Sequence, residues 1–357
     1  MGSTIHDVAV KAGVSTALVS RVLNGKTGVS EKSREKIAAA IRELDYTPNL
    51  IARSLVTQRT YSIGVLMELL DSDVSLALLR GLEIGAQAVP GGDKYTLIYT
   101  NSFGNAARRI RHLNYLTQGR ADGVIVFGSQ LYNDELLLRL SKTRFPLVLI
   151  ENDLKTIEAD KVIVDSVGGA YAATEELIRK GHRKIAHIAG DINLKVTMDR
   201  MNGYVSAMQQ YGIPVDKSML IIPDYTDLPK DANQPIGYEK IFFNQGYLEM
   251  KRMLAKDIVP DALFVPTDFL GFGARKALEE AGLQVPRDVS MIGFDNEISV
   301  AARMMVRPIT SMMQPLDRAG QEAIRLCVSR IEQPEREMER VVLPTALIDH
   351  GTVADRK

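Results

Sequence analysis

The segment Ser15-Thr-Ala-Leu-Val-Ser-Arg-Val-Leu-Asn24 sets small and hydrogen-bonding side chains along one face of a short helical pattern. Leu18, Val19 and Val22 recur at helical spacing and read as the inner stripe. Thr16, Ala17, Ser20 and Arg21 fall on the opposite face. A guanidinium in that position can grip O6 and N7 of guanine together, while Thr16 and Ala17 allow close approach and offer methyl surface to thymine. Ser15, Ser20 and Asn24 suit phosphate oxygens and would hold the register. The chemistry implied is the reading of base edges in a major groove.

Three helices must position that face. Thr4 is an N-cap for the first, with Asp7 near its positive end. Val8 and Ala9 point inward, and Ala12-Gly13 ends the helix, Gly13 supplying the freedom of a tight turn. Ser15 caps the second helix. Ser30 caps the third, with Val29 as a hydrophobic staple, and Ile37, Ala38, Ile41 and Leu44 pack back on the other two. This is a helix-turn-helix pattern over residues 1–47, a device that delivers its second helix to DNA. Pro48 then stops an extended link, and 49–56 spells about two helical turns. A helix that short is mostly unfolded alone, so residues 48–60 are expected to fold only when DNA and a second subunit supply contacts.

Composition fits this plan. Residues 1–60 hold nine Lys/Arg against five Asp/Glu, and the rest of the 357-residue chain holds 35 against 39. A basic head on a slightly acidic body suits a polyanionic partner met by the head alone. No apolar run approaches the ~18 residues of a membrane helix, and the polar N-terminus lacks a signal-peptide core, so a cytoplasmic protein without membrane contact is expected. The single cysteine, Cys327, excludes an intrachain disulfide and lies in the helical pattern Leu316 to Ile331, where it reads as core.

From Tyr61 onward apolar runs alternate with helical stretches. Strands are expected at Ser62–Met67, Tyr95–Tyr99, Gly123–Phe127, Leu147–Ile150, Lys184–Ile188, Ala262–Val265 and Ser290–Phe294. Helices are expected at Leu76–Ala88, Asn105–Gln118, Ala170–Lys180, Met201–Gln210 and Gly246–Leu254. The alternation implies an α/β class with parallel sheets, too long for one sheet and so divided into two lobes. Catalytic motifs are missing: Gly271-Phe-Gly273 lacks the third glycine of a dinucleotide fingerprint, there is no P-loop or Gly-x-Ser-x-Gly elbow, and His182 and His187 are poorly spaced for a metal. The expectation is a protein that is not an enzyme and carries no cofactor.

The segments Thr4-Ile-His-Asp-Val-Ala, Ala12-Gly-Val-Ser-Thr, Val19-Ser-Arg-Val-Leu-Asn-Gly25, Val29-Ser and Ala52-Arg-Ser-Leu55 resemble, in order and spacing, the LacI/GalR family of bacterial transcription regulators. Gly181-His-Arg-Lys-Ile-Ala, Val285-Pro-Arg-Asp-Val-Ser-Met-Ile-Gly-Phe-Asp295 and Arg307-Pro-Ile-Thr310 extend the resemblance over about residues 4–350. It implies a periplasmic-binding-protein-like body at 61–357, with an N-lobe of about 61–162 plus 294–330 and a C-lobe of about 163–293 plus 331–350. It also implies a homodimer that reads a pseudo-palindromic operator, most simply as a repressor. Thr4 and Asn49 join the DNA-contacting set, Leu55 becomes a minor-groove wedge and Ala52 the small residue that permits close approach. The effector would sit between the lobes, outside the carboxyl ends of the strands, against Glu151, Arg200, Tyr225, Asp268, Asp295 and Gln314.

The sequence also departs from the family pattern. Thr267-Asp268 stands where relatives often have Asn-Asp, Val74-Ser75 replaces a common aromatic pair, and 224–242 is longer than usual. Asp, Glu and Arg around an aromatic suit a sugar or sugar derivative. The same set would hold a purine, and a phosphorylated protein co-repressor is a further alternative. Outside this class stands a ligand-binding protein with no DNA role. Leu55→Ala is expected to weaken operator binding far more than nonspecific binding; a titration at fixed salt showing equal losses on both DNAs would refute the wedge.

Overall fold

The computed structural model describes residues 3–23, 27–46, 59–68, 70, 72–128, 135–224, 238–296 and 307–356. The chain divides into two units, Met1–Thr60 and Tyr61–Lys357.

In the first unit α1 spans Ile5–Ala12, α2 Thr16–Leu23 and α3 Glu31–Glu43. The expected caps are all present. Thr4 and Asp7 close a reciprocal capping box, and Gly13 ends α1 at φ 65°. Ser15 Oγ accepts from the Leu18 N–H at 3.2 Å, and Ser30 Oγ from the Ser33 N–H at 3.3 Å. Val8, Ala9, Ala12, Val19, Ile37 and Ala40 form the core. Ala40, one turn-edge away from the expected Ala38, takes the buried place, and Ala38 is only half-buried.

The second unit is two six-stranded sheets. The first runs β11-β5-β4-β3-β1-β2 and the second β12-β10-β9-β8-β6-β7. The first sheet takes β1 (Ser62–Met67), β2 (Thr96–Asn101), β3 (Gly123–Phe127), β4 (Leu147–Ile150), β5 (Asp160–Val164) and β11 (Arg340–Leu343). The second takes β6 (Ile185–Ile188), β7 (Leu220–Ile221), β8 (Ala262–Phe264), β9 (Ser290–Asp295), β10 (Thr310–Met313) and β12 (Ala346–Ile348). Every pairing is parallel except β10 with β12. Central strands such as Leu147–Ile150 are buried on both faces, which is why they read as continuous apolar runs.

Helices cover both faces of each sheet. On the first, α4 (Asp73–Ala88) and α11 (Leu316–Glu332) pack together over Val65, Ile125 and Val148. Cys327 is buried there, as expected. Leu113 and Leu116 of α5 (Ala106–Thr117) and Leu137 of α6 (Glu135–Ser141) cover the other face. On the second sheet, α7 (Ser166–Arg179) and α8 (Lys195–Gln210) lie on one side, with Tyr204 against Phe264 and Phe294. The other side is covered by α9 (Tyr238–Leu254) and α10 (Asp268–Glu280).

The expected lobe ranges need correction. β10 lies in the second sheet, although 294–330 was expected in the N-lobe, and β11 lies in the first, although 331–350 was expected in the C-lobe. Among the described residues of the former range, α11 alone sits on the first sheet. The chain therefore changes sheets after β5, after β10, and again in the two residues between β11 and β12.

One buried charge ties these crossings together. Asp160, at the start of β5 and 1% exposed, receives Arg330 Nε at 3.0 Å, Arg336 Nη2 at 2.9 Å and the Glu339 N–H at 2.8 Å. It joins α11, the following turn and β11 to the sheet. Asp160→Ala would strand two largely buried guanidinium groups, and the expected loss is about 3–5 kcal/mol in urea unfolding; a loss below ~1 kcal/mol would show that water reaches the site.

Candidate functional site

A cleft of about 190 Å³ opens at the carboxyl ends of the strands, lined from the first sheet by Glu68, Phe127 and Glu151 and from the second by Arg200, Asp295 and Gln314. Parallel strands deliver their last residues to a common edge, so one topology places groups that are far apart in sequence.

Arg200 is the centre of this cleft. It lies in the second turn of α8 and is 4% exposed. Its Nη1 donates to the Pro266 carbonyl and to Asp295 Oδ1, the latter at 3.0 Å. Its guanidinium carbon stands 3.8 Å above the centre of the Phe294 ring, a geometry in which the ring quadrupole favours the cation. Among the described residues Nε has no hydrogen-bond partner. Asp295 Oδ1 also accepts from Gln314 Nε2 at 2.6 Å. Burial pushes the Asp295 carboxyl above its ordinary range, and Arg200 and Gln314 oppose that push. Four of the expected effector contacts (Glu151, Arg200, Asp295 and Gln314) thus face one cleft.

Asp295 and Glu151 share an unusual backbone. Asp295 has φ 97° and Glu151 φ 63°, both in the left-handed region that L-residues rarely occupy. Such strain persists where surrounding contacts over-determine it, and it concentrates at ligand sites. Around Asp295 the contacts are visible. The Asn296 N–H donates to Ser311 Oγ at 3.0 Å, Ser311 Oγ donates to Asp268 Oδ1 at 2.7 Å, and a ring nitrogen of His350 pairs with Asn296 Oδ1 at 3.0 Å.

Asp268 is therefore not where the sequence put it. It is fully buried and absent from the cleft lining among the described residues. Thr267 caps α10 through the Leu270 N–H and faces the cleft, which turns Asp268, the next residue, inward. There it occupies space left by Gly293, where a Cβ would meet Asp268 Oδ1 at 2.1 Å. Asp268 holds the Asp295 loop rather than a ligand. Tyr225 lies outside the described residues.

Glu151 Oε1 accepts from the Val164 N–H at 2.9 Å, and burial lifts its carboxyl to about 7. Glu68, just beyond β1, was missed by the sequence reading. Burial lifts its carboxyl to about 7 too, against the pull of Arg109, whose Nη1 is 3.8 Å from Oε1. Among the described residues that oxygen accepts no hydrogen bond. An acidic residue directly after a buried strand was the available signal. Val74 and Ser75, from the first turn of α4, also line the cleft.

On the head, Thr4, Ser15, Thr16, Ala17 and Arg21 are exposed and Ser20 is half-buried. Arg21 Nη2 donates to the Thr27 carbonyl at 3.0 Å. Asn24, Asn49, Ala52 and Leu55 lie outside the described residues. No helix among the described residues is long and apolar enough to cross a membrane.

A capped helix-turn-helix joined to a two-sheet body with a charged cleft defines a class, and comparison with known proteins gives the same answer. Residues 4–49 match the family described as bacterial regulatory proteins, lacI family, and residues 174–353 match a periplasmic binding protein-like domain. The chain belongs to the LacI family and is a DNA-binding transcription regulator. It is 33% identical over 355 residues to the HTH-type transcriptional repressor PurR of Shigella dysenteriae serotype 1 (strain Sd197), which covers 99% of this chain and 97% of the relative. The structure of the transcriptional regulator CelR–cellobiose complex matches with a TM-score of 0.69 and 28% identity, covering 98% of this chain and 99% of the other. The Lac repressor dimer bound to operator and the anti-inducer ONPF matches in fold with a TM-score of 0.82 at 24% identity, covering 99% and 100%.

Ser311→Ala would leave the Asn296 N–H and an Asp268 oxygen without their bond inside the protein. The expected cost is about 1–3 kcal/mol of stability, read by denaturant unfolding. A further loss of ligand affinity is expected as Asp295 is released.

Proposed function

We propose that this protein is a homodimeric repressor of a sugar or related metabolic operon, acting in the cytoplasm and controlled by a small molecule in the cleft. Each head offers Thr16, Ala17 and Arg21 to base edges and Ser15 and Ser20 to phosphates, so a dimer would read two half-sites of a pseudo-palindromic operator. The observation that carries the effector reading is the Arg200–Asp295 pair at the mouth between two sheets. A ligand bonded to both lobes has a different affinity for open and closed arrangements, and only such a difference can shift the protein between states. The cellobiose bound by CelR supports a sugar. Phe127, Phe242 and Phe269 in the lining support a second reading, a flat heterocycle such as a purine stacked between rings. No step of bond-making is assigned to these residues, and we read the protein as non-enzymatic.

The test is operator selection from genomic fragments, followed by binding titrations at fixed salt with and without a small-molecule cell extract. Arg21→Ala is expected to cost ~1–3 kcal/mol on the selected site and relax preference at one base pair. Arg200→Ala is expected to abolish the response to the extract. No preference of the native protein for any duplex over random competitor, with or without extract, would sink the reading.

A further inference from the structure

We propose that the effector is a polyol bearing a basic amino group, an amino sugar in class, whose ammonium is seated between Glu151 and Glu68. This rests on the cleft being the effector site.

The argument is one of charge and of bonds not made. The cations around the cleft already have partners. Arg200 is held by Asp295 and the Pro266 carbonyl, and Lys195 by Asp199. Arg109 stands behind Glu68 at 3.8 Å, beyond hydrogen-bond length. Glu151 is 6% exposed, and among the described residues it makes one hydrogen bond, to the Val164 N–H, and no ion pair. Among the described residues Glu68 Oε1 accepts no hydrogen bond and has only the long pairing with Arg109. A buried carboxyl in that condition either keeps its proton or takes up a cation. An anionic ligand would add a like charge and be repelled.

The two residues follow strands at one sheet edge and both line the cleft, with Glu151 Oε1 held by Val164 at the end of β5. β3 runs between β1 and β4, so the strand ends that carry Glu68 and Glu151 are about 10 Å apart at the backbone. Glu68 reaches inward over that gap, its Oε1 lying 2.8 Å from where a Cβ on Gly128, just past β3, would be. Phe127, at the end of β3, supplies a ring on the same floor, and an aromatic face attracts both a sugar's apolar face and an ammonium. A neutral sugar would satisfy hydrogen bonds here but bring no positive charge to Glu151, and would leave Glu68 with only the long 3.8 Å pairing to Arg109. The charged groups that act on Glu151 are Arg200, Asp199 and Lys195. With its carboxyl at about 7, Glu151 is part protonated at neutral pH, and an arriving ammonium would expel that proton.

The experiment uses the full chain, with D-glucosamine, D-glucose and D-glucose 6-phosphate as probes in thermal-shift titrations and calorimetry. Glucosamine is expected to bind about tenfold or more tightly than glucose, in line with a charge-assisted bond, and the phosphate ester not to bind. Glu151→Gln and Glu68→Gln are each expected to erase most of that preference. In the native protein, calorimetry at pH 7 in two buffers of different ionisation heat should show net proton release with glucosamine, turning to net proton uptake at pH 8.5, where the carboxyls are already ionised and the sugar's free amine must be protonated to bind. Glucose binding as tightly as glucosamine, no response to glucosamine, or a preference that survives both substitutions overturns the proposal. Glucose binding that is lost in Arg200→Ala would sink the amine while keeping the cleft as the effector site. Responses untouched by Arg200→Ala would sink the cleft itself.

Discussion

Two opposite charges taken out of water are tolerated only in each other's company, and the body of this protein is arranged around one such pair. Arg200 and Asp295 are both buried, they come from α8 and β9, and neither could be left alone there without a large desolvation penalty. Their pairing fixes where the guanidinium plane lies. Phe294 beneath it and the Pro266 carbonyl beside it complete the seat. What remains open to a ligand is the side of the pair that faces the cleft.

The sheet architecture makes that seat possible. Both sheets are parallel at their centres, so both present strand ends, free of hairpins, to the same region. Glu68 and Glu151 end strands of one sheet, and Asp295 ends a strand of the other. At two of these three ends the backbone is held with φ positive. In the second sheet the restraint is a chain of bonds through Ser311 and Asp268 to the interior. The site's halves belong to different sheets joined by three crossings. A change in the distance between the halves is then the natural variable for a ligand to control.

Much of this could be read from the residues. β1, β3 and β4 begin and end where their apolar runs do, because strands buried on both faces have no alternation to blur. The caps of the head were legible because Thr4, Ser15 and Ser30 bond to backbone within their own turn. β5 was not legible: Asp160 and Lys161 look like loop residues, and only distant Arg330 and Arg336 make Asp160 acceptable inside a sheet. α10 was hidden by its glycines, of which Gly273 admits the backbone of α9 and Gly271 lets the helix lie close against Val265, Met291 and Ile309, rather than making a turn. Asp268 was misplaced for a more local reason, since a shift of one residue at a helix start turns a side chain from the cleft to the core. The lobe ranges failed because α11 and β10 are neighbours in sequence yet belong to different sheets, a fact carried by long-range contacts alone. Glu68 belongs to no motif; its place directly after a buried strand is a faint signal, and three-dimensional convergence on the cleft gives it meaning.

In the head, the Arg21 guanidinium already rests on the Thr27 carbonyl. If Arg21 reads a base as proposed, a bidentate grip that uses this Nη2 hydrogen competes with the chain's own backbone, while the guanidinium's other N–H groups stay available. A guanine edge, offering two acceptors, gains over this internal arrangement, whereas a single acceptor merely replaces it. On that proposed role, discrimination would arise partly from what the arginine gives up, and sequences with the wrong edge would be met with indifference instead of repulsion, a property suited to a protein that must sample long stretches of duplex before it stops.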